Sequence, residues 1–461
     1  MQSFILKDSM AQNKSIHGQW SSRWTFILAA AGSAVGLGNI WKFPYIAGEN
    51  GGGAFVLFYL LCVIMIGMPI LIAEIMLGRR GRQNPINTFA YLAQQSKQHR
   101  AWRWLGVSCV TAGFLVLTYY SVIAGWALDY TVKSAMSSFT HASSSAISQL
   151  FTALLANAPM LLFWHTVFML AVIVVVGYGV QKGLERAVCW LFPLMGLILL
   201  ILVGYAMNSG AFEQGIAFLF NPDFSKLTPN SMLIALGHAC FTLSIGLGGM
   251  MAYGAYLPKK TSIIQAAGII ALLDTIIALV AGLAIFPIVF ANDLAVNSGP
   301  GLIFQTLPIA FGAMPYGSFF ATLFFIMLVF AAFTSAISIT EPAVAWLMEK
   351  YHMHRFHAVW LITGIAWFVG IGTVLSFNYW ENVKLFGLTF FGLLDYLTAN
   401  IMLPLNAALI AIFSGWCLRR QIIHEELKTP VTWLIRAWQF ATRYLVPTAV
   451  GIVMLNFLGI I

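Results

Sequence analysis

The stretch AAGSAVGLGNIWKFPY (Ala30–Tyr45) decides how the chain folds, because it lies within the first long apolar segment and yet disfavours a continuous helix. Gly32, Gly36 and Gly38 weaken helical structure, and Pro44 removes a main-chain hydrogen-bond donor. In hydrocarbon an unpaired main-chain polar group is costly, so a broken helix persists only where protein, water or an ion satisfies the freed groups. The stretch therefore predicts a binding site at the break.

The composition is that of a membrane protein. Of the 461 residues, 60% are hydrophobic and only 8% are charged, which leaves too little polar surface to cover a soluble domain. A helix needs about 20 apolar residues to cross a bilayer. Eleven such runs are predicted, near residues 24–47, 54–77, 104–132, 159–180, 187–207, 230–257, 262–290, 317–348, 358–376, 383–416 and 440–460. The lipid bilayer is therefore the expected surroundings of the chain.

The basic residues predict the orientation in the plasma membrane. With a cytoplasmic amino terminus, all of the 24 Lys and Arg residues lie on the inner side except Lys42, Lys133, Lys226 and Lys384. Inner loops are enriched in Lys and Arg, so this orientation is favoured and the carboxyl terminus is expected outside. No disulfide framework is visible, which with the inner position of the one glycosylation sequon favours a bacterial inner membrane. The net charge of +9 reflects these loops, and no nucleic-acid partner is expected.

The first break has a counterpart in the sixth predicted helix, where SIGLGG (244–249) echoes SAVGLG (33–38). One such motif is also compatible with close helix packing through small residues. Its recurrence at corresponding positions favours an inverted-repeat transporter with a site at the bilayer midplane. We therefore predict an all-α membrane protein with eleven transmembrane helices in a 5+5 inverted repeat, with helices 1 and 6 broken at mid-membrane.

This architecture divides the chain into four predicted parts. They are a cytoplasmic segment (1–23), a first repeat of helices 1 to 5 (24–207), a second repeat of helices 6 to 10 (230–416), and a cytoplasmic linker with helix 11 (417–461). At the inner end of helix 5, Gly183 and Pro193 bracket a segment that can unwind at low cost, because glycine is flexible and proline lacks a donor. We predict that this segment acts as a gate.

Polar side chains inside the spans predict a cation site. Asp274 in helix 7 has apolar neighbours and no basic residue within a turn, so it is either protonated or next to a cation. Thr334 and Ser335 in helix 8 supply neutral oxygens, with back-bonding to their own helix as the alternative. Glu74 in helix 2 needs a donor, unless it extends toward the basic residues that follow it. Such oxygens and freed carbonyls suit a hard monovalent cation.

Covalent catalysis has little support in the sequence. The spans contain no nucleophile–base pair, phosphate-binding loop or zinc motif, and the turn with His352, His354 and His357 lacks the cysteines or acids of a zinc site. The protein is therefore predicted not to be an enzyme. A substrate-gated channel or a membrane receptor using the same pocket is the alternative to a transporter.

Five motifs resemble one family of transporters. They are GSAVGLGNIWKFP (32–44), ENGGGAF (49–55), FTLSIGLGG (241–249), AGLAIFP (281–287) and FTSAISITEP (333–342). Together they closely resemble the neurotransmitter:sodium symporter family, especially its bacterial amino-acid transporters of the leucine-transporter type. The resemblance covers helices 1 to 10. It implies a symporter that works by alternating access, as a monomer or homodimer, with two sodium ions (Na+) and one amino acid bound at the midplane.

The resemblance also assigns residues to each site by motif position. The first sodium is expected at Ala34, Asn39, Thr242 and Asp274, together with the substrate carboxylate. The second is expected at the carbonyls of Gly32, Val35 and Ala331 and the hydroxyls of Thr334 and Ser335. The substrate is expected against Ala34, Gly36, Val116, Tyr120, Phe241, Thr242, Ser244, Leu247, Ser335, Ser338 and Ile339. Tyr120 would bind its carboxylate and, with Phe241, close the outer lid.

The same resemblance implies two gates. The outer gate is expected to pair Lys42 with Asp395, and the inner gate to involve Trp20, Arg23, Tyr256 and Glu349. Two positions depart from the family pattern. Lys42 replaces an arginine, which removes a bidentate fork and should weaken closure, and His17 takes the place of an inner-gate arginine.

Three further positions bear on what is transported. Family members that carry monoamines have an acid at Gly36, and its absence leaves room and charge balance for the substrate's own carboxylate. A neutral, hydrophobic or aromatic amino acid is therefore expected. Asp274 can supply the negative charge that chloride provides in animal relatives, so chloride-independent transport is expected. His238, where a glutamine is frequent, is either a neutral packed residue or a site of proton coupling.

Overall fold

The computed structural model describes residues 18–296, 301–428 and 431–457. The described residues form helices and their connections, and no strand occurs among them apart from an isolated bridge between Leu385 and Leu388. This agrees with the predicted all-α class. His17 and the last four residues of the chain, to which the inner-gate and carboxyl-terminal predictions partly refer, lie outside these ranges.

Eighteen helical segments follow one another along the described chain, besides a short 3-10 turn at Phe224–Lys226. They are α1 (Arg23–Ala34), α2 (Gly38–Glu49), α3 (Gly53–Gly81), α4 (Pro85–Gln95), α5 (Arg100–Ala135), α6 (Ser144–Ala156), α7 (Ala158–Gly177), α8 (Val180–Met207), α9 (Phe212–Phe220), α10 (Pro229–Thr242), α11 (Gly249–Ala255), α12 (Ile263–Phe290), α13 (Leu302–Ala313), α14 (Gly317–Tyr351), α15 (Arg355–Leu375), α16 (Phe390–Cys417), α17 (Arg420–Leu427) and α18 (residues 432–457). Short π-helical turns are included where they continue a helix.

Length and composition mark nine of these units as membrane spans. Eight are single helices, namely α3, α5, α7, α8, α12, α14, α15 and α16, and the ninth is the pair α1 and α2, bent by 48°. The sixth predicted span is divided into α10 and α11, and the eleventh corresponds to α18. The count of eleven therefore stays a prediction at those two positions.

The first break forms where the sequence predicts it. Ser22 caps α1 by accepting a hydrogen bond from the Thr25 amide at 3.2 Å. The helix ends after Ala34 because Val35 is extended, with φ −72° and ψ 100°. The freed amide of Gly36 donates to Asn39 Oδ1 at 3.2 Å, so a side chain of the following segment satisfies the main chain.

The second break separates α10 from α11 and depends on glycine. Gly246 and Gly248 have φ of 81° and 77°, and Ser244 has φ of 52°. A side chain on Gly246 would also approach the carbonyl oxygen of Leu403 to 3.0 Å. Left-handed backbone so close to another helix favours glycine, and both predicted breaks are confirmed.

Burial separates the centre of the bundle from its periphery. Within the apolar window of α5, 72% of the residues are buried inside the protein, compared with 39% for α7 and 33% for α8. Helix α5 therefore runs through the protein interior, whereas α7 and α8 present most of their surface outward, as lipid-facing helices do. The two breaks lie against α5, α12 and α14, which places them at the centre.

Candidate functional site

Asp274 of α12 is the acidic centre of the site. Its side chain is fully buried, and Asn39 Nδ2 donates to Asp274 Oδ1 at 2.8 Å and to the Asp274 carbonyl oxygen at 3.1 Å. Thr242 Oγ1 donates to Asp274 Oδ2 at 3.1 Å. No described basic side chain lies within 4.0 Å of the carboxylate. The structure thus gathers three residues of the first expected sodium group, with Ala34 at the end of α1 beside the same break.

The second expected sodium group lies between α1 and α14. A Cβ built on Gly32 would approach Thr334 Cβ to 3.5 Å, so the two helices touch at this point. Thr334 Oγ1 donates back to the Phe330 and Ala331 carbonyls of its own helix, each at 3.1 Å. Ser335 Oγ instead crosses to the Ser33 carbonyl at 3.1 Å. Back-bonding therefore accounts for Thr334 but not for Ser335.

Ser33 joins the two breaks and was missed by the sequence analysis. Its carbonyl oxygen accepts from Ser244 Oγ at 2.8 Å as well as from Ser335, and its hydroxyl shares a hydrogen bond of 2.6 Å with Ser338 Oγ. The signal was available, because Ser33 and Ser244 occupy equivalent positions in the two repeated motifs. Three expected substrate residues thus meet around one residue that was not named.

Tyr120 of α5 faces the first break. Its hydroxyl accepts from the Leu37 amide at 3.2 Å, and a Cβ on Gly36 would lie 2.9 Å from that hydroxyl and 2.5 Å from Ser335 Oγ. Phe241 packs against Gly38, where an added Cβ would be 3.2 Å from its ring. A side chain at Gly36 would therefore collide with both hydroxyls, and glycine allows them to lie close to the break.

The remaining expected substrate residues border the same region. Val116 is buried one helical turn before Tyr120. The carbonyl oxygens of Leu247 and Ile339 both approach Gly113 of α5, at 3.1 and 3.4 Å from an added Cβ. The backbone of α5 thus lies against the second break and against α14 at one point, which encloses the site from that side.

A cavity of about 130 Å³ adjoins Tyr120 and Phe241. Its lining residues are Leu37, Gly38, Trp41, Lys42, Tyr45, Tyr119, Tyr120, Ile123, Phe241, Phe391 and Asp395. Both outer-gate residues line it, but Lys42 and Asp395 form no ion pair within 4.0 Å among the described residues. The Lys42 ammonium lies over the Phe241 ring instead, 4.5 Å from its centroid. The expected Lys42–Asp395 ion pair is therefore not formed in this conformation, because the Lys42 side chain packs against Phe241.

The opposite end of the site is closed by Trp20. This residue is only 2% exposed, its indole donates to the Tyr253 carbonyl at 3.0 Å, and its amide donates to the Tyr256 carbonyl at 3.2 Å. Tyr256 OH in turn donates to Glu341 Oε1 at 2.9 Å, and Arg355 pairs with Glu341 at 2.5 Å. Helices α11, α14 and α15 are thereby joined beneath the break.

Two inner-gate residues make contacts that the sequence analysis did not predict. Glu349 accepts from the Asn84 amide and side chain and from Asn87 Nδ2 at 2.9 Å, so it anchors the start of α4, and Glu341 is the acid that Tyr256 contacts. Arg23 stacks on Trp24, and its buried Nε has no partner among the described residues. The role of Glu349 in the inner gate stays a prediction, and Glu341 is an additional acid at this end of the site.

Three further polar residues of the spans either bind the main chain of the second break or pack against aromatic rings. Glu74 Oε1 accepts from the Gly246 amide at 2.6 Å, so the acid holds the second break and does not extend toward the basic residues after it. Asn406 Nδ2 donates to the Gly246 carbonyl at 2.8 Å. His238 stacks on Phe43, with ring centroids 6.0 Å apart, as a packed histidine does.

The predicted gate in helix 5 has an irregular local structure. Gly183 lies in a π-helical turn, Val180–Glu185, and Pro193 lies inside the α-helix that follows. A Cβ on Gly183 would overlap the carbonyl oxygen of Val175. Alanine at this position would therefore disfavour the present conformation rather than lock it.

Comparison with known proteins decides the family. The profile of the sodium:neurotransmitter symporter family matches residues 17–151 and 155–460. The chain belongs to this family. The symporter is 39% identical to the uncharacterised sodium-dependent transporter YhdH of Bacillus subtilis, over 98% of its own length and 100% of that protein. It is 34% identical to a sodium-dependent transporter of Haemophilus influenzae, over 97% and 99% of the two chains.

A solved structure supports the fold. The symporter superposes on MhsT, crystallised in complex with L-phenylalanine, with a TM-score of 0.88 and 40% sequence identity, covering 96% of its own chain and 100% of that chain. The predicted leucine-transporter fold is thereby confirmed. The symporter is a multi-pass membrane transporter that depends on sodium, and not an enzyme.

Proposed function

We propose that the symporter imports a neutral, hydrophobic or aromatic amino acid together with two sodium ions. The observation that carries this proposal is the arrangement around Gly36, where no side chain separates Tyr120 OH from Ser335 Oγ and no acid competes with a substrate carboxylate. MhsT, a relative of the same fold, was crystallised with L-phenylalanine. An amino acid in this space would bring its own negative charge to the broken end of α1.

The first sodium ion would be held by Asp274, Asn39, Thr242 and the Ala34 carbonyl, with the substrate carboxylate as a further ligand. The buried Asp274 favours a cation, because a lone ionised carboxylate in the interior is strongly destabilised. The second ion would replace the hydrogen bonds that Thr334 and Ser335 now make to carbonyls, using those hydroxyls with the carbonyls of Gly32, Val35 and Ala331. Each ion would join α1 to a different helix.

We further propose that transport does not require chloride. With a sodium ion bound, Asp274 would supply a negative charge beside the first ion group, because a neighbouring cation favours the ionised carboxylate. A second anion in the same low-dielectric region would be repelled by it. The charge of a bound sodium ion would be balanced by this carboxylate and by the substrate.

Alternating access would follow from the two ends of the site. In the present conformation the Trp20 end is closed, and the cavity opens toward Lys42 and Asp395. Binding of sodium and substrate would draw Phe241 and Tyr120 together, and release would require separation of Trp20 from Tyr256. Unwinding of α8 between Gly183 and Pro193 would accompany that release. The excess of basic residues supports a cytoplasmic position for the Trp20 end.

Uptake into proteoliposomes tests the proposal. With sodium high outside, labelled L-phenylalanine or L-leucine should accumulate above its external concentration, and collapse of the gradient should abolish accumulation. L-Lysine and L-aspartate serve as charged controls. Equilibration without accumulation would indicate a channel, and sodium-dependent binding without uptake would indicate a receptor. Either result would overturn the proposal.

A further inference from the structure

A groove at the Glu349 end of the bundle is not used by the transport site. It consists of two adjoining cavities of about 340 and 410 Å³ between α4, α5 and the end of α14, and both are lined by Asn87, Ala90 and Arg103. Lys350 lines the first cavity and Arg100 lines the second. The groove therefore has three basic side chains along its length.

The inner wall of the groove is apolar. Ile86, Val110 and Ala343 are buried and form a small hydrophobic cluster of their own, separate from the main core. Val107 and Trp346 pack against it and line the first cavity. These residues come from α4, α5 and α14, so the wall offers a continuous apolar strip that runs from the cations toward the membrane interior.

The basic residues of the groove have no acidic partner in the described parts of the chain. Neither Arg100, Arg103 nor Lys350 has a carboxylate oxygen within 4.0 Å. The nearby acid Glu349 is already bound by Asn84 and Asn87. Two basic residues elsewhere at this end are paired, Arg79 with Glu426 at 2.7 Å and Arg80 with Glu425 at 2.8 Å. The groove thus retains positive charge that its surroundings do not balance.

Aromatic residues place the groove at the level of the lipid headgroups. The Arg103 guanidinium lies 5.6 Å from the centroid of the Trp104 ring, and the Lys350 ammonium lies 4.8 Å from the Trp346 ring and 4.9 Å from that of Tyr351. Trp104 and Tyr351 are both largely exposed. Tryptophan and tyrosine are enriched at membrane interfaces. Here Trp104 lies near the start of α5, and Trp346 and Tyr351 lie in the last turns of α14.

We propose that this groove binds an anionic phospholipid of the cytoplasmic leaflet. The phosphate would lie between Arg103, Lys350 and Arg100, and one acyl chain would run along Val107 and Val110. The amide side chains of Asn87 and Gln94 would bind the polar headgroup. Unpaired basic side chains next to an apolar strip fit a lipid better than a free anion, because a free anion has no acyl chain to pack against the strip. The bound lipid would connect α4 to α5 and α14.

A lipid titration of the purified full chain tests this inference without any transport measurement. Phosphatidylglycerol is added to the protein in neutral detergent, and bound lipid is counted by native mass spectrometry, with phosphatidylcholine as the zwitterionic comparison. Each basic residue near a headgroup contributes about 1 kcal/mol, so Arg103→Gln with Lys350→Gln should weaken phosphatidylglycerol binding by about 30-fold. The matched control removes two exposed basic residues elsewhere at this end, Lys259→Gln with Lys260→Gln, and should leave binding unchanged.

A second variant tests whether the lipid occupies the cavities, and it does so without changing any charge. Ala90→Leu keeps every charge but narrows both cavities, and it should also weaken phosphatidylglycerol binding by about tenfold. Equal loss in the two double variants, equal binding of the two lipids, or unchanged binding in Ala90→Leu would each overturn the proposal. Failure of sodium-driven uptake would leave it intact, because the lipid assay does not depend on transport.

Discussion

The hydroxyl of Tyr256 is the part of the inner gate whose removal we expect to open it. It donates to Glu341 Oε1 at 2.9 Å and links α11 to α14, whereas the ion pair of Glu341 with Arg355 lies within α14 and α15. Tyr256→Phe therefore removes the link and spares the pair. A hydrogen bond to a charged group contributes about 1.5–3 kcal/mol, which corresponds to roughly 10–150-fold in the gate equilibrium.

Amide hydrogen exchange can measure this opening directly. The Trp20 amide donates to the Tyr256 carbonyl at 3.2 Å and is buried, so it exchanges with solvent only when the two residues separate. Mass spectrometry of a peptide that contains Trp20 should show exchange about tenfold or more faster in Tyr256→Phe than in the wild type. Peptides of α15 should exchange at wild-type rates, because their contacts are unchanged.

Tyr253 provides a matched control three residues earlier on the same half-helix. Its hydroxyl is buried and has no hydrogen-bond partner among the described residues. Tyr253→Phe removes the same atom and should leave exchange at Trp20 unchanged. Equal exchange in the wild type and Tyr256→Phe, or an equally large increase in Tyr253→Phe, would refute the assignment of the gate to this hydrogen bond.

Three further perturbations follow from the site. Asp274→Asn removes a charge worth about 4 kcal/mol to a cation about 4 Å away, before desolvation, so sodium-dependent thermal stabilisation should require at least about tenfold more sodium. Gly36→Ala places a methyl group 2.5 Å from Ser335 Oγ and 2.9 Å from Tyr120 OH, so both hydroxyls must move, amino-acid binding should be lost, and the melting temperature without ligand should fall. Replacement of chloride by gluconate should leave sodium-driven uptake unchanged.

Each of these expectations has a result that contradicts it. Unaltered sodium dependence in Asp274→Asn would place the first ion elsewhere. Normal substrate affinity in Gly36→Ala would mean that the amino acid does not occupy the space beside Tyr120. A large loss of uptake in gluconate would show that Asp274 does not replace chloride.

The breaks could be predicted because they depend on residue type alone. Glycines at matching places in two apolar runs disfavour a helix wherever they occur, and the structure confirms both interruptions. Ser33 was harder to recognise, because it acts mainly through its carbonyl oxygen, which every residue possesses. A main-chain acceptor becomes visible only when the helices that supply its donors are placed around it.

The contact of Tyr256 with Glu341, an acid that the sequence analysis did not name beside Glu349, illustrates a second limit. Both acids lie on α14, eight residues apart, and at about 1.5 Å per residue they are separated by about 12 Å along the helix. Which acid contacts Arg355 and Tyr256 depends on how the helices pack against one another. Likewise α4 lies between the second and third predicted spans, where the sequence contains no run of about 20 apolar residues.

The hydrogen bonds of Glu74 and Asn406 to the Gly246 main chain affect the free energy of ligand binding. Its amide and its carbonyl are each held by a side chain of another helix, α3 and α16, and Ser108 of α5 supports Asn406 at 2.7 Å. Ordering a residue's backbone costs about 1–2 kcal/mol in conformational entropy. At Gly246 this ordering takes place when the protein folds, before any ligand binds. The neighbouring substrate residues Ser244 and Leu247 are therefore held before a ligand binds, so substrate affinity is not reduced by the entropy of ordering this segment.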